Sequence, residues 1–129
     1  MERVGIIIPS SNVVVEDALH TATGGSLDAA VQRLAEAPLD RIVFAGTAGA
    51  WLGIDHDRDW VARTEAATGL PATTTTLQTL EALARLRPDK LGLITPFVEE
   101  VHARIMDSFA AELKALNEFI MLPIRSMNA

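Results

Sequence analysis

The chain has 129 residues, a hydrophobic content of 49% and a formal net charge of -6. No apolar run approaches the ~20 residues needed to cross a bilayer, and Lys and Arg form no cluster that could neutralise the phosphates of a nucleic acid. The absence of cysteine excludes disulfides, thiolate metal sites and thiol nucleophiles.

These properties predict a single soluble domain over residues 1–129, with residues 124–129 as a loose tail. Met1, Glu2 and Arg3 lead directly into an apolar stretch, without the charged-then-apolar layout of a signal peptide. We therefore expect a cytoplasmic protein that binds neither membranes nor nucleic acid.

The first predicted elements are a strand and a helix at the start of the chain. Arg3 to Pro9 (RVGIIIP) is aliphatic and rich in β-branched residues, as in the central strand of a parallel sheet. Ser10, Ser11 and Asn12 follow it and are good N-cap residues for a helix over Val13 to Leu19. The amide groups at the start of such a helix favour an anion.

A second strand leads into a glycine-rich loop. Before it, Ser26 can cap a helix whose apolar residues repeat from Leu27 to Ala35 and which Pro38 closes. Arg41 to Ala45 is typical of a buried strand, and Gly46 to Gly53 is a run of small residues whose glycines allow tight turns and the close approach of a ligand. We expect the function to depend on this loop.

The rest of the chain alternates helices and strands. Asp55 to Asp59 is expected to be a solvated acidic loop that caps the helix after it. The later predicted elements are a helix over Trp60 to Thr68 ended by Gly69, a strand over Pro71 to Thr74, a helix capped by Thr75 or Thr76, a strand over Lys90 to Thr95, a long helix starting at Thr95 and Pro96, and a strand over Phe119 to Pro123.

Strands that alternate with helices predict right-handed crossovers and a single three-layer α/β domain with a parallel sheet of four to five strands, flavodoxin-like in architecture. In such a sheet the residues that follow the strands meet at one edge, where ligands bind. The residues expected at this edge are Ser10, Ser11, Asn12, Gly46, Thr47, Ala48, Thr74, Thr75, Thr76, Thr95, Pro96 and Phe97.

Hydroxyl groups, one side-chain amide and backbone N–H groups dominate this predicted edge. Such neutral donors can hold a carboxylate or a phosphate, and they can stabilise an enolate formed from a bound acid. Ordinary helix capping also explains why Ser, Thr and Asn follow strands.

The sequence lacks the motifs that would indicate a different chemistry. Dinucleotide, P-loop, zincin and hydrolase-elbow motifs are absent from the sequence. His20 and His102 lie on predicted helices without a partner at metal-ligand spacing, so we predict surface or half-buried structural roles for both and no metal site. Glu99 and Glu100 suit the start of a helix through its dipole.

Four segments of the chain occur in the order in which a known family has them. They are Gly5 to Glu16 (GIIIPSSNVVVE), Phe44 to Gly53 (FAGTAGAWLG), Thr68 to Thr76 (TGLPATTTT) and Leu93 to Val101 (LITPFVEEV). With these segments the sequence resembles the Asp/Glu racemase superfamily, specifically its maleate isomerase and arylmalonate decarboxylase branch. Members have two similar α/β halves with the active site between them and use no cofactor, so the resemblance implies one half-domain and no cofactor.

The resemblance also implies roles for single residues. Asn12 and Thr47 match residues that bind the substrate carboxylate. Gly46 stands where isomerases and racemases have a cysteine, as in the decarboxylases, whereas Ala48 and Phe97 stand where a serine and a tyrosine are usual. Nothing in the chain resembles the second half of the family, which normally supplies a further cysteine.

The sequence therefore predicts a cofactor-independent isomerase, racemase or decarboxylase (a lyase) for a small maleate-like or arylmalonate-like carboxylic acid. Its substrate-binding residues would be Ser10, Ser11, Asn12, Gly46, Thr47, Ala48, Thr75, Thr95 and Phe97. Without a thiol, His56 or Asp55 is the nearest candidate proton donor.

We further expect two copies to pair as a homodimer that rebuilds the missing half. The alternatives are a non-catalytic carboxylate-binding module, a truncated or engineered fragment of the family, and a flavodoxin-like binder of phosphate or a nucleotide.

Overall fold

The structure, a computed structural model, describes residues 1–7, 29–114 and 116–121. The strands are β1 (Val4–Ile7), β2 (Arg41–Phe44), β3 (Ala72–Thr74), β4 (Lys90–Leu93) and β5 (Glu118–Met121). The helices are α1 (residues 29–35), α2 (Gly49–Leu52), α3 (Ile54–Thr68), α4 (Thr75–Leu86) and α5 (Glu99–Glu112). Among the described residues, no helix is long and apolar enough to span a membrane.

The described strands run parallel and confirm the predicted α/β class. β1, β2 and β3 pair in that order, with Ile7 opposite Phe44 and Phe44 opposite Thr74. β4 pairs with β5, with Leu91 opposite Phe119. The number of strands agrees with the prediction, but within the described ranges they form a three-stranded and a two-stranded hydrogen-bonded group, where we predicted one sheet.

One apolar cluster lies between the three-stranded sheet and the helices α1 and α3. Its buried members are Val31 of α1, Ile42 of β2 and Trp60 of α3, and Ile42 has no exposed surface. α1 also covers Gly5 of β1, because a Cβ atom there would be 3.4 Å from Cδ1 of Leu34. Val31 and Leu34 of the apolar repeat predicted for this helix thus pack on the sheet, whereas Ala35 is exposed and Leu27 lies outside the described residues.

A second apolar cluster joins α2, α4 and α5 to the two-stranded group. Its buried members are Ala50, Ile54, Leu80, Ile105, Phe109 and Leu113. The predicted apolar repeat of the long helix holds from Val101 onward, whereas Val98 is 70% exposed. The repeat predicts the packed face of α5 because residues three and four apart lie on one side of a helix.

The acidic stretch before Trp60 is helical, which corrects the predicted solvated loop. Gly53 has a φ of 111°, a backbone conformation that glycine adopts without strain, and α3 begins at the next residue. Asp55 and Asp57 occupy the first turn of α3, where their charges meet the positive end of the helix dipole. The buried side chain of Ile54 then ties this first turn to the second cluster.

Two other predicted helix starts are displaced. The N-cap of α4 is Thr74, one residue before the predicted Thr75 or Thr76, because the Thr74 hydroxyl accepts the N–H of Leu77. α5 begins at Glu99, three residues after Pro96, and its N-cap residue Val98 makes no side-chain cap.

Several predicted features lie outside the described residues. They are Ser10, Ser11, Asn12, the helix over Val13 to Leu19, His20, Ser26 and the tail over residues 124–129.

Candidate functional site

The strands β1, β2 and β3 end side by side. The N–H of Ala45 donates to the carbonyl of Ile7 at 2.8 Å, and the hydroxyl of Thr75 donates to the carbonyl of Phe44 at 3.4 Å. The chain that leaves β2 therefore meets the first turn of α4 at the carboxyl edge of the sheet, the place where parallel α/β sheets bind ligands.

The loop after β2 lies at the centre of this edge. Gly46 is buried, Thr47 is exposed and Ala48 is the N-cap residue of α2. Because Thr75 of α4 contacts the carbonyl that precedes this loop, the structure brings together four of the predicted site residues. Thr47 is the member of this group whose side chain is open to solvent.

The end of β4 reaches the same loop through two aromatic rings. Phe97 packs edge-on against Trp51 of α2, with the ring centroids 4.8 Å apart and the planes at 63°. The hydroxyl of Thr95 accepts the N–H of Phe97 at 3.4 Å. Phe97 therefore contacts α2, the helix that follows the loop, and Thr95 bonds the backbone of Phe97.

The predicted site omitted Asp57, which the structure places against Gly49, the residue that follows the loop. Asp57 is 2% exposed, whereas Asp55 and Asp59 on the same helix are exposed. Its Oδ2 accepts the hydroxyl hydrogen of Thr74 at 2.5 Å, and its Oδ1 lies 3.4 Å from Nδ1 of His56. The prediction that the whole acidic stretch is solvated is wrong at this residue.

A periodic signal for the burial of Asp57 exists in the sequence. The buried residues of α3 are Ile54, Asp57, Trp60 and Thr64, which are spaced three or four apart. Asp57 therefore lies on the apolar stripe of its helix. A polar residue on such a stripe is buried together with its neighbours and needs a hydrogen-bond partner there.

Thr74 is that partner, and it has two roles. Its side chain has no exposed surface, and its hydroxyl both donates to Asp57 and accepts the N–H of Leu77 at 3.1 Å. The hydroxyl therefore caps α4 and ties α4 to α3 with one oxygen atom. The first turn of α4 is therefore held against α3.

The position that resembles the cysteine site of the family is closed by an aromatic ring. A Cβ atom at Gly46 would lie 2.7 Å from Cε1 and 3.0 Å from Cζ of Phe44. The Phe44 ring in turn packs against Trp60, with centroids 5.5 Å apart. A side chain at this position requires the Phe44 ring to move.

The two candidate proton donors differ in their surroundings. The Asp55 side chain is 92% exposed and accepts a hydrogen bond from Arg58, 3.0 Å away. Arg58 also donates to Glu112 of α5 at 2.7 Å, and the two carboxylates, Glu112 first, raise the pKa of the guanidinium. His56 is 47% exposed and lies beside Asp57.

His102 is buried rather than half-buried or on the surface, which corrects its predicted exposure. It is 4% exposed on α5, and its Nε2 has no hydrogen-bond partner among the described residues. Those residues also contain no group of three or more His, Cys, Asp or Glu side chains that could hold a metal ion.

The fold and this edge define an α/β protein with parallel strands whose polar groups gather at the carboxyl ends. Solved structures share that fold: the chain matches unliganded arylmalonate decarboxylase with a TM-score of 0.75 and 20% identity, over 98% of this chain and 64% of that one. It matches the maleate isomerase Iso from Pseudomonas putida S16 with a TM-score of 0.73 and 18% identity, over 95% of this chain and 64% of that one.

A variant of the same isomerase, solved with maleate, matches with a TM-score of 0.72 and 19% identity, over 95% of this chain and 64% of that one. The chain thus spans less than two thirds of these proteins and corresponds to their N-terminal half. No protein-family model and no curated protein matches the sequence. What the comparisons establish is the shared fold.

Proposed function

We propose that the carboxyl edge of β1, β2 and β3 binds a small carboxylic acid, and that the chain acts on it as a cofactor-independent isomerase, racemase or decarboxylase. The observation that carries the proposal is the hydrogen bond from Thr75, in the first turn of α4, to the carbonyl of Phe44, which ends β2 just before the Gly46–Ala48 loop. The shared fold supports it, because one neighbour was solved with maleate and another is an arylmalonate decarboxylase.

The groups at this edge suit a carboxylate without a cationic partner. Thr47 offers an exposed hydroxyl, and the first-turn N–H groups of α4 at Thr75 and Thr76 have no carbonyl partner within the helix. Donors at a helix start favour negative charge. Held in fixed positions, they also stabilise the charge that develops when a bound acid becomes an enediolate.

The residues Ser10, Ser11 and Asn12 complete the proposed site. β1 ends at Ile7, opposite Phe44 at the end of β2. We assign to Asn12, which lies outside the described residues, a second contact with the carboxylate in addition to that of Thr47.

A second copy of the chain is proposed to complete the protein as a homodimer. Val4 and Ile6 of β1 are 42% and 56% exposed and alternate with buried Gly5, so they face away from α1 and α3. Parallel sheets are normally covered on both faces, so the exposed apolar side chains of Val4 and Ile6 are available to a second copy. Sedimentation over a range of concentrations tests the pairing, and a monomer at every concentration would contradict it.

The binding experiment is a calorimetric titration with maleate, phenylmalonate and inorganic phosphate. Replacement of Thr47 by Val is expected to weaken the binding of both acids about 10-fold, because one hydrogen bond to a charged group is lost. Thr79→Val is the matched control, since Thr79 is exposed on α4 and its hydroxyl bonds the carbonyl of Thr75. Tighter binding of phosphate than of either acid would favour the flavodoxin-like alternative.

A specific observation favours a non-catalytic carboxylate-binding module as the second candidate. The chain has no cysteine, and the Phe44 ring fills the space beside Gly46. Under this alternative the acids bind, but the protein neither isomerises maleate nor accelerates the exchange of the α-proton of phenylmalonate in deuterated water.

A further inference from the structure

We propose that a cavity at the amino ends of β4 and β5 binds a small carboxylate with an apolar body, at a site separate from the carboxyl edge. The cavity has a volume of about 400 Å³ and is lined by the last turns of α4 and α5 and by the segments that follow them. A cavity of this size is typical of small-molecule sites. The proposal is carried by the apolar floor of the cavity, by two cations without partners and by the backbone conformation of Arg87.

The cavity lies at the opposite end of β4 from the residues predicted for the carboxylate site. Pro88, which lines the cavity, precedes β4, whereas Thr95 follows it. Leu116 likewise precedes β5, which runs parallel to β4. The carbonyl of Asp89 accepts the N–H of Asn117 at 2.8 Å, so the segments that lead into the two strands are joined at this end. A ligand in the cavity therefore does not compete with one at the carboxyl edge.

The floor of the cavity is apolar and continues into the second apolar cluster. Leu113 is 6% exposed and belongs to the buried part of that cluster, and the half-buried side chains of Leu83 and Leu116 pack against it. Ala84 and Pro88 add further apolar surface to the lining. The apolar body of a ligand would be removed from water here together with these side chains, which is favourable by the hydrophobic effect.

The unpaired charges at the cavity are positive. Arg87 and Lys114 both line it and are exposed, and neither forms an ion pair within the described part of the chain. The acid in the lining, Glu112, already accepts a hydrogen bond from Arg58 at 2.7 Å, so its charge is compensated. A carboxylate is the ligand group that complements two such cations, and a guanidinium can hold it with two parallel hydrogen bonds.

The backbone of Arg87 is in a conformation that favours glycine. Arg87 is the C-cap residue of α4 with a φ of 49° and a ψ of 53°, and among the described residues it is the one residue other than glycine with a positive φ. Glycine commonly ends helices in this conformation because it has no Cβ atom. An arginine here is strained, and strain of this kind is found at ligand sites. Binding of a carboxylate by the guanidinium explains why the position is not glycine.

The first experiment compares three ligands that share one apolar chain: hexanoate, hexanol and hexylammonium. The full chain is titrated with each, and the backbone amide signals of Leu113 and Leu116 are followed by NMR, so that binding at this cavity is measured separately from binding at the carboxyl edge. Hexanoate is expected to bind at least about 3-fold more tightly than hexanol, because an ion pair open to water contributes modestly, and hexylammonium is expected to bind most weakly.

The second experiment changes the two cations. Arg87→Gly is expected to weaken hexanoate binding about 3- to 10-fold, between the effects of losing an exposed ion pair and a hydrogen bond to a charged group. Its urea midpoint should be at least that of the wild type, because glycine adopts this φ without strain. Arg87→Lys keeps the charge and should change the affinity less than 2-fold. Lys114→Gln should weaken binding as Arg87→Gly does.

Arg85→Gln is the matched control for the loss of one positive charge. Arg85 lies in the last turn of α4, is paired with Glu81 and does not line the cavity, so the affinity for hexanoate should stay unchanged. This control separates a local contact from a general loss of positive charge. It also separates a ligand contact from an interaction of Arg87 with the negative end of the helix dipole, which a ligand does not report.

The outcomes decide between a carboxylate site and a purely structural cavity. Amide signals of Leu113 and Leu116 that do not shift and saturate with hexanoate would overturn the site. Equal affinities for hexanoate and hexanol, or an affinity unchanged in both Arg87→Gly and Lys114→Gln, would overturn the role of the cations. The proposed function is independent of these results, since Thr47→Val tests it at the carboxyl edge.

Discussion

The carboxylate of Asp57 occupies the space that a side chain at Gly49 would need. A Cβ atom at Gly49 would overlap both oxygens of the Asp57 carboxylate. α2 can therefore lie directly on the first turn of α3 because residue 49 has no side chain. The loop after β2, the buried acid and the cap of α4 form one packed unit at the carboxyl edge.

This contact predicts that Gly49→Ala lowers the free energy of unfolding by about 1–3 kcal/mol, the usual cost of overpacking a filled site. The same change made in the Asp57→Ala background should cost at least about 1 kcal/mol less, because the obstructing carboxylate is gone. Urea denaturation of the two single variants and the double variant gives the coupling energy. Strictly additive losses would show that the two residues do not compete for this space.

Because Thr74 makes two hydrogen bonds, we expect two substitutions of this residue to lower the free energy of unfolding by different amounts. Thr74→Val removes the donor to Asp57 and the acceptor for Leu77, so the free energy of unfolding should fall by about 2–4 kcal/mol. Thr74→Ser keeps the hydroxyl and should cost about 1 kcal/mol for the lost methyl group.

Chemical denaturation measures both losses, with Thr79→Val on the exposed side of α4 as the control, expected to change stability by less than about 0.5 kcal/mol. Equal losses for Thr74→Val and Thr74→Ser would show that the hydroxyl contributes little.

The Phe44 ring predicts the cost of introducing a thiol at the position where the family has a cysteine. Gly46→Cys should lower the free energy of unfolding by about 1–3 kcal/mol, because the new Cβ atom would meet Cε1 of Phe44 at 2.7 Å. A leucine side chain has no atoms at the positions of Cε1 and Cζ. Gly46→Cys should therefore lower the free energy of unfolding less in a Phe44→Leu background than in the wild type. Thermal denaturation of the two pairs of variants measures the difference, and an equal cost in both backgrounds would contradict the steric explanation.

Asp40 is expected to make a pH-dependent contribution to the stability of the fold at the start of the sheet. Its Oδ2 accepts the backbone N–H of Arg3 at 2.7 Å, and this bond, followed by the Arg3 side chain, lowers the pKa of Asp40 below its ordinary value of 3.8. A carboxyl with a lowered pKa in the folded state stabilises the fold above its unfolded-state pKa and loses that contribution as the pH falls through the folded-state pKa.

The stability advantage of the wild type over Asp40→Asn should therefore be present at neutral pH and shrink as the pH falls below 3.8. It should be small, because the pair is exposed to solvent. Urea midpoints measured for both proteins across the acid range test this, and an advantage that grows on acidification would refute the assignment.

The order of the elements follows from local patterns in the sequence. Short β-branched runs predict the strands, and apolar residues three or four apart predict the packed faces of α1, α4 and α5. The grouping of Gly46, Thr47, Ala48 and Thr75 at one edge also follows, because it needs only parallel strands and the residues after them. The helix starts were predicted less accurately. The backbone geometry of the segments before α4 and α5 makes Thr74 and Val98 the N-cap residues.

The sequence by itself determined the α/β class, the buried faces and the polar edge, because these depend on periodicity and on residues close together in the chain. Tertiary structure decided what lies at that edge: Asp57 is buried because Thr74, 17 residues away, and Gly49 enclose it. Phe44 covers Gly46 because Trp60 supports its ring. The spacing on α3 marks Asp57 for burial, but its partners Thr74 and Gly49 lie on other elements, and only the packing of α2, α3 and α4 brings them together.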